Sequence, residues 1–276
     1  MVEAVFENSK GLVIQKALDN AYPGESAVAI KMGSNRALAR AEECFYYSVE
    51  PSPHIPEYYC SYLYDGDIYH VMELIDGADL LEYMKEGDAE REVLAKILLR
   101  DIGPLVQSFY DQGFVHRDLK PENVMLKPDT MTMVLLDYEF AAFVDEGPLS
   151  GSCTPRYTAP ELLDELFSRE TPIPVDWEPF RNCDFWAFGA TLNFLLEAQI
   201  PHAKFEQIDE DFLICATLDG LCILESCNKY PSFKEILEGL LEPYPPKRKT
   251  ISELQTHISD LVDSIEREEQ TDLIES

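Results

Sequence analysis

The stretch of sequence that decides the fold is Val115-His-Arg-Asp-Leu-Lys-Pro-Glu-Asn-Val-Met-Leu126. It concentrates polar side chains of the types that transfer protons, offset charge or bind metal ions: His116, Arg117, Asp118, Lys120 and Asn123. Any one of these residues alone is common in a surface loop. Because several independent positions must coincide to give the whole set at fixed spacing, the stretch predicts a loop that carries chemistry.

This stretch resembles the catalytic loop of the eukaryotic protein kinases, which has the same polar residues at the same spacing. The resemblance implies that Asp118 accepts the proton of a substrate hydroxyl and that Lys120 offsets charge on the transferred phosphoryl group. It also implies that Asn123 binds Mg²⁺ through its amide oxygen. Arg117 before the base is similar to members that are activated by phosphorylation of their activation segment.

Upstream, Val28-Ala-Ile-Lys31 resembles the strand motif whose lysine holds the α- and β-phosphates of ATP. The lysine should pair with a glutamate on the following helix, which the sequence predicts over Arg36 to Ser48. Glu42 and Glu43 both qualify as that partner, and we favour Glu43.

The resemblance also implies an adenine pocket and an interlobe hinge. Val71-Met72-Glu73-Leu74 is similar to the strand that leads into the hinge, with Met72 in the gatekeeper position. The backbone of Glu73 to Ile75 is then expected to bind adenine, and Asp79 is placed to reach a ribose hydroxyl. The complete expected nucleotide-binding set is Lys31, Val13, Ala29, Met72, Glu73, Ile75, Asp79 and Met125.

Downstream motifs follow in family order. Asp137-Tyr138-Glu139 stands where the family has Asp-Phe-Gly, so Asp137 is expected to bind Mg²⁺ and Tyr138 to stack under His116. The run from Cys153 to Glu161 resembles the end of the activation segment. Ser150 and Ser152, just before this run, and Thr154 within it are candidate phosphate acceptors. The presence of Thr154 together with Lys120 is typical of Ser/Thr-directed members.

Two further contacts are implied by the resemblance, and both are structural. Arg248 should form a buried ion pair with Glu161, and Asp184 should accept hydrogen bonds from the backbone of the catalytic loop. Neither pair takes part in the chemistry itself. The resemblance covers about Gly11 to about His257, which is nearly the whole chain.

The implied fold class is α+β: a bilobal protein kinase fold with a small β-rich N-lobe and a larger, mainly α-helical C-lobe. We place the N-lobe at residues 1–75, the C-lobe at 76–262 and an acidic C-terminal tail at 263–276. Within the N-lobe, Tyr58 to Leu63 and Ile68 to Leu74 predict a hairpin that turns at Asp65-Gly66. In the C-lobe, Gly103-Pro104 could bend or break a helix over Val93 to Gln112.

The sequence departs from the family in two places. The glycine-rich loop has Phe6 and Asn8 in its first two glycine positions and retains only Gly11, which should loosen its hold on the phosphates. Glu139 replaces the glycine of Asp-Phe-Gly, where a left-handed backbone would cost a glutamate about 1 kcal/mol. Glu139 could help to hold a metal, repel ATP, or point to solvent and lock the segment.

The composition limits the classes of partner. The chain has 276 residues, 46% of them hydrophobic, and a formal net charge of −30. Such a charge argues against nucleic acid or an anionic membrane as partner, whereas a basic protein substrate fits. The seven cysteines are odd in number and contain no Cys-x-x-Cys pair. Together with the lack of a recognisable signal peptide, this indicates reduced thiols and an intracellular location.

The sequence therefore predicts a protein serine/threonine kinase that uses ATP and Mg²⁺ and phosphorylates a hydroxyl on a protein substrate, with a regulatory protein partner possible. The alternative is a nucleotide-binding or inactive pseudokinase that acts as a scaffold or allosteric partner, which the altered glycine-rich loop and Glu139 favour. A weaker similarity to the Bub-type mitotic-checkpoint kinases rests on Glu43-Cys-Phe-Tyr46 and the altered Asp-x-Gly motif.

Overall fold

The computed structural model describes residues 2–7, 13–18, 27–33, 35–83, 88–144, 154–167, 178–197 and 226–264. The amino-terminal part is a five-stranded antiparallel sheet with one helix against it. Its strands are β1 (Val2–Glu7), β2 (Val13–Leu18), β3 (Ala27–Gly33), β4 (Tyr58–Tyr64) and β5 (Asp67–Glu73), in the spatial order β1-β2-β3-β5-β4. The pairing of β3 with β5 puts Lys31 opposite His70 and Ala29 opposite Met72.

Local sequence signals explain the limits of these elements. Helix α1 (Arg36–Ser48) begins after Asn35, whose side chain accepts hydrogen bonds from the backbone N–H groups of Ala37 and Leu38. The predicted hairpin between β4 and β5 is confirmed. Asp65 (φ 48°) and Gly66 (φ 97°) both adopt the left-handed conformation that a tight two-residue turn requires.

The carboxy-terminal part is mainly helical. Its first elements are β6 (Ala78–Asp79), α2 (Leu80–Tyr83), the long helix α3 (Asp88–Gln112) and β7 (Phe114–Val115). Helix α3 continues through Pro104, so the predicted break at this proline does not occur. The short strands β8 (Val124–Lys127), β9 (Thr132–Leu135) and β10 (Ala142–Phe143) follow. Residues 116–123, the middle of the stretch that decides the fold, lie between β7 and β8.

The remaining helices complete this part: α4 (Pro160–Phe167), α5 (Cys183–Glu197), α6 (Ser226–Lys229), α7 (Lys234–Leu240) and α8 (255–264). Helix α5 is buried on nearly all sides, and Phe185, Trp186 and Phe188 are almost completely removed from solvent. One large apolar core packs α5 against α3 and the later helices. This core supports the loop between β7 and β8.

The connection between the two parts runs from residue 74 to residue 77, after β5 and before β6. Gly77 is required there, because a Cβ at this position would lie 2.1 Å from the carbonyl oxygen of Leu126 in β8. The division that we placed after residue 75 falls in this connection and stays a prediction. The predicted tail starts at residue 263, within α8, and residues 265–276 lie outside the described ranges.

Two findings bear on composition. None of the helices in the described ranges is both long enough and apolar enough to cross a membrane. Cys44, Cys60, Cys183 and Cys227 are free thiols. This acidic chain has an α+β fold with a small β-sheet region and a larger helical region.

Candidate active site

The carboxylate of Asp118 lies at the centre of a polar cluster. Its Oδ2 accepts hydrogen bonds from Lys120 Nζ at 2.6 Å and from Asn123 Nδ2 at 3.0 Å. Its Oδ1 accepts a hydrogen bond from the hydroxyl of Thr154 at 2.9 Å, and Lys120 Nζ also donates to that hydroxyl. Asp118, Lys120 and Asn123 are all buried. The structure therefore brings together Asp118, Lys120 and Asn123, which the sequence predicted as a group.

The loop that carries Asp118 is fixed through its backbone. The carboxylate of Asp184, on α5, accepts hydrogen bonds from the backbone N–H groups of His116 at 2.5 Å and Arg117 at 2.9 Å. These bonds, predicted from the sequence, hold Arg117 in a left-handed conformation with φ 68°. His116 Nδ1 accepts from the backbone N–H of Asp118, so its Nε2 carries the proton and donates to the carbonyl of Leu136.

Lys31, on β3, reaches the same site from the sheet. Its Nζ lies 2.9 Å from Glu42 Oε1, 2.7 Å from Glu42 Oε2 and 2.6 Å from Asp137 Oδ1. The preference for Glu43 as the partner of Lys31 is wrong. Glu43 instead accepts hydrogen bonds from Arg40 and from the hydroxyl of Ser61. Adjacent helical residues point about 100° apart, so only one of the two glutamates can face β3.

The environment of Lys31 favours its charged form. Burial lowers the pKa of its ammonium, but the nearby carboxylates of Glu42, Asp137 and Glu139 outweigh this effect and raise the pKa above its ordinary value. The side-chain carboxylate of Glu43 has a pKa below its ordinary value, chiefly because the Ser61 hydroxyl donates a hydrogen bond to it. Lys31 is therefore a fixed cation at the junction of β3, α1 and the segment after β9.

Tyr138 fills the centre of an aromatic group below this cation. Its ring stacks on Phe45 of α1, with ring centroids 3.9 Å apart, and its hydroxyl donates to the carbonyl of Leu135. The predicted stacking under His116 is wrong in geometry, because the two rings meet edge-on at an interplanar angle of 66°. Tyr138 thus ties α1, which carries Glu42, to the segment that carries Asp137.

The backbone strain expected at Glu139 lies elsewhere. Glu139 does not have a positive φ; the left-handed residue of the Asp-Tyr-Glu triplet is Asp137, with φ 67°. Glutamate in the third position is accordingly compatible with this conformation. Its carboxylate acts on the site through charge, since it contributes to the raised pKa of Lys31.

The residues expected at an adenine pocket lie around the connection between the two parts. Ala29 and Met72 are direct partners across β3 and β5, and Met125 is the partner of Asp79 across β6 and β8. The N–H of Glu73 already donates to Glu57, but the backbone of Ile75 has no partner within the described ranges and can pair with a base. Asp79 caps α2 through its Oδ1. The side chain of Val13 lies outside what the structure describes.

Asn123 and Asp137 fit a role as ligands of a hard divalent cation. The amide nitrogen of Asn123 donates to the carbonyl and to Oδ2 of Asp118, so its amide oxygen is the atom left to bind a metal. Asp137 adds a carboxylate beside Lys31. Among the described residues, no three His, Cys, Asp or Glu side chains are grouped to hold a metal. Such a cation would therefore also need oxygen ligands from the phosphates or from water.

The predicted ion pair in the helical part is confirmed. Arg248 Nη1 and Nη2 lie 2.5 Å and 2.8 Å from the two carboxylate oxygens of Glu161, and the guanidinium also donates to the carbonyls of Asn182 and Glu242. Arg248 is buried and lies over the ring of Trp186. This pair fixes the start of α4 against the core.

Several predicted features of the activation segment and the glycine-rich loop lie outside the described ranges, among them Asn8, Gly11, Ser150 and Ser152. Phe6 lies in β1, which pairs with β2. The hydroxyl of Thr154 is engaged by Asp118 and Lys120, so a phosphate on Thr154 would displace the bonds that order this cluster. Arg40 on α1, a basic residue that such a phosphate could pair with, is already paired with Glu43.

Sequence reasoning missed His70. This residue on β5 is completely buried opposite Lys31, and its Nδ1 lies 3.1 Å from the hydroxyl of Tyr58. The signal in the sequence was the alternation of inward- and outward-facing residues along β5, in which Ile68, His70 and Met72 all face inward.

Comparisons with known proteins identify the family of the chain. The family model described as "Protein kinase domain" matches residues 25–258. Ribosomal protein S6 kinase alpha-4 of Mus musculus is 29% identical over 202 residues, which are 68% of this chain and 25% of that protein. Putative ribosomal protein S6 kinase alpha-2 of Caenorhabditis elegans is 26% identical over 262 residues, which are 88% of this chain and 33% of that protein.

A third relative, protein kinase C-like 1 of Saccharomyces cerevisiae, is 30% identical over 217 residues, which are 76% of this chain and 17% of that protein. The chain thus spans a third or less of the length of these relatives. The family match covers both β3, the strand that carries Lys31, and the loop that carries Asp118. The chain therefore belongs to the protein kinase domain family.

Proposed function

We propose that this chain is a protein serine/threonine kinase that transfers the γ-phosphate of ATP, with Mg²⁺, to a hydroxyl group on a basic protein substrate. The observation that carries the proposal is the buried cluster of Asp118, Lys120, Asn123 and Thr154. Lys31 and Asp137 are joined to each other at 2.6 Å in the same site.

Asp118 is suited to act as the base. Its Oδ1 already accepts a hydrogen bond from one alcohol, the hydroxyl of Thr154, at 2.9 Å. A serine or threonine hydroxyl of a substrate would donate to the same carboxylate, which would orient the hydroxyl oxygen and take up its proton. Lys120 and Asn123 hold Oδ2 and prevent the carboxylate from rotating.

Lys31 is suited to hold the phosphates of the nucleotide. Its ammonium is fixed by Glu42, and the pairing of this lysine with a helical glutamate is one of the conditions for kinase activity. When bound, ATP supplies the phosphoryl group and Mg²⁺ offsets its charge; Asn123 and Asp137 are the residues that would hold the metal. Phosphoryl transfer depends mainly on positioning and electrostatics, which are what these residues provide.

The charge of the chain supports a basic substrate. Its formal net charge is −30, and Glu82 and Glu122 are exposed in the helical part, Glu122 directly after Pro121 of the catalytic loop. These carboxylates can attract lysine or arginine side chains that flank the acceptor hydroxyl. Glu197 is a further candidate, as are Asp164 and Glu165 on α4, although the structure does not describe the side chains of these two residues.

The test is transfer of labelled phosphate from ATP, with Mg²⁺, to serine- or threonine-containing peptides with basic or acidic flanks. We expect Asp118→Asn to lower kcat by about 10²- to 10⁴-fold, because general-base catalysis is lost. Asp129→Asn is the matched control, since it makes the same chemical change at an exposed turn of the same region and should leave the rate unchanged. Equal rates for the wild type and Asp118→Asn would disprove the proposal.

The alternative, nucleotide binding without transfer, is favoured by the acidic charge of Glu139 near Lys31. Thermal stabilisation by ATP, measured with and without Mg²⁺, shows whether nucleotide binds, and phosphate transfer then separates this alternative from the kinase. Stabilisation by nucleotide with no transfer above the Asp118→Asn background would support a binding protein. We expect both stabilisation and transfer.

A further inference from the structure

The residue behind the Lys31–Glu42 pair is an imidazole. His70 on β5 has no exposed surface, and the strand register puts it directly opposite Lys31. Its Nδ1 lies 3.1 Å from the Tyr58 hydroxyl of β4. Its Nε2 is buried without a hydrogen-bond partner among the described residues and lies 3.9 Å from Oε2 of Glu42.

An unpaired nitrogen in the interior needs an explanation, since most buried polar side-chain atoms have a partner. An aliphatic residue would fill this place without that cost. At 3.9 Å the Nε2–Oε2 contact is too long for a hydrogen bond, but it is short for an electrostatic contact in a dry site. A proton on Nε2 would therefore stabilise the negative charge of the Glu42 carboxylate electrostatically.

The surrounding groups keep this imidazole neutral. Burial lowers the pKa of His70, and Lys31 lowers it as well; Glu42 and Glu43 act in the opposite direction without cancelling these effects. The Tyr58 hydroxyl can donate to Nδ1, which leaves the single ring proton on Nε2, on the side of Glu42. Tyr58 itself is held by stacking on Tyr46 of α1, with ring centroids 4.4 Å apart.

We propose that His70 is a positioning residue that holds the Glu42 carboxylate in line with Lys31, and so controls how firmly Lys31 grips the phosphates of a nucleotide. This inference rests on the proposed function for its effect on catalysis. The contact to Glu42 is the step through which His70 acts. His70 itself does not touch the reacting atoms.

The first experiment compares His70→Leu, which removes both ring nitrogens, with His70→Gln, whose amide can still point an N–H towards Glu42. We expect His70→Leu to raise KM for ATP by about two- to tenfold, the equivalent of one modest polar contact, with a smaller change in kcat. His70→Gln should restore most of the wild-type KM. Tyr69→Leu, at the next position on the opposite face of β5, is the matched control and should leave KM unchanged.

The Glu42→Gln background tests whether His70 acts through Glu42. In this background, His70→Leu should produce no further increase in KM, because the carboxylate that His70 supports is already absent. A full, additive effect in this background would overturn the proposal. So would equal KM values for His70→Leu and the wild type, or a loss that His70→Gln does not restore.

A second readout does not need transfer. An acylating reagent such as acetic anhydride labels neutral lysine amines, and the neutral fraction rises about tenfold for each unit by which the pKa falls. We expect Lys31 to be labelled faster in His70→Leu than in the wild type or His70→Gln, as measured by mass spectrometry of the Lys31 peptide. If the wild type transfers no phosphate, the proposed function fails, and this labelling still decides the role of His70: equal labelling of all three proteins would overturn it.

Discussion

The catalytic loop and the Lys31 pair are held in different ways. The loop is fixed through backbone groups: Asp184 accepts two N–H bonds from it, and His116 accepts a third within it. Within the part of the chain that the structure describes, the ammonium of Lys31 is fixed by side chains that come from α1 and from the segment after β9. A change of helix orientation can break the Lys31 contacts while leaving the loop intact. The loop should therefore govern stability, and the Lys31 pair should govern nucleotide binding.

The largest expected effect comes from breaking the ion pair between Arg248 and Glu161. Replacing Arg248 with methionine leaves Glu161 with a mostly buried, unpaired carboxylate, because this guanidinium makes both contacts to it. We expect Arg248→Met to lower the free energy of unfolding by about 3–5 kcal/mol, measured by urea denaturation. Adding Glu161→Leu should recover much of the loss. A double variant no more stable than Arg248→Met would contradict the assignment of the cost to the isolated charge.

The next effect tests the backbone anchor directly. Asp184→Ala leaves the buried N–H groups of His116 and Arg117 without an acceptor. The expected loss is about 2–4 kcal/mol in the free energy of unfolding, because each unsatisfied donor carries its desolvation cost. Asp184→Asn keeps one acceptor oxygen and should lose less. If both variants unfold at the wild-type urea concentration, the loop is not held by this carboxylate.

Glu42 and Glu43 provide the matched comparison for the Lys31 pair. Glu42→Gln removes the charge that faces Lys31 and should weaken ATP binding about tenfold, which equals about 1.4 kcal/mol. Glu43→Gln affects only the contacts to Arg40 and Ser61 and should leave ATP binding unchanged, with less than about 1 kcal/mol lost in stability. Calorimetric titration with ATP distinguishes the two variants. Equal weakening by both would contradict the observed orientation of α1.

The smallest effect is a pH dependence at the Lys31 pair. Burial lowers the pKa of His70 below its ordinary 6.5, so the unfolded chain binds a proton that the folded chain excludes. Stability from this group is complete above about pH 6.5 and is lost as the pH falls towards the folded pKa, by up to about 1.4 kcal/mol per pH unit. His70→Gln should lack this loss.

Urea denaturation of the wild type and His70→Gln between pH 7.5 and 5 measures that difference. The carboxylate of Glu43, whose pKa is also lowered, loses its stabilising effect only below its ordinary 4.5 and stays outside this window. Parallel pH profiles for the two proteins would show that His70 titrates normally or not at all in this range.

The accuracy of sequence reasoning differed between the same two regions. The contacts of Asp184 and the ion pair of Arg248 were predicted because each residue lies in a motif that resembles the family, and the resemblance implies the partner although it lies 68 or 87 residues away. Glu42 and Glu43 are adjacent and identical in type, so only the rotation of α1 about its axis separates them. The edge-on contact of Tyr138 with His116 and the positive φ of Asp137 likewise depend on packing that neighbouring letters do not encode.

The sequence by itself indicated the kinase fold through the resemblance of its motifs to the family. It also determined that Lys120 and Asn123 meet Asp118, because spacing along a short loop limits which side chains can meet. Only the tertiary structure decided which glutamate holds Lys31 and that His70 lies behind the pair. Those contacts join β3, β5 and α1, which are brought together by the burial of apolar side chains over the whole sheet. The geometry of these contacts depends on how the elements pack against each other, and the sequence of any one segment does not determine it.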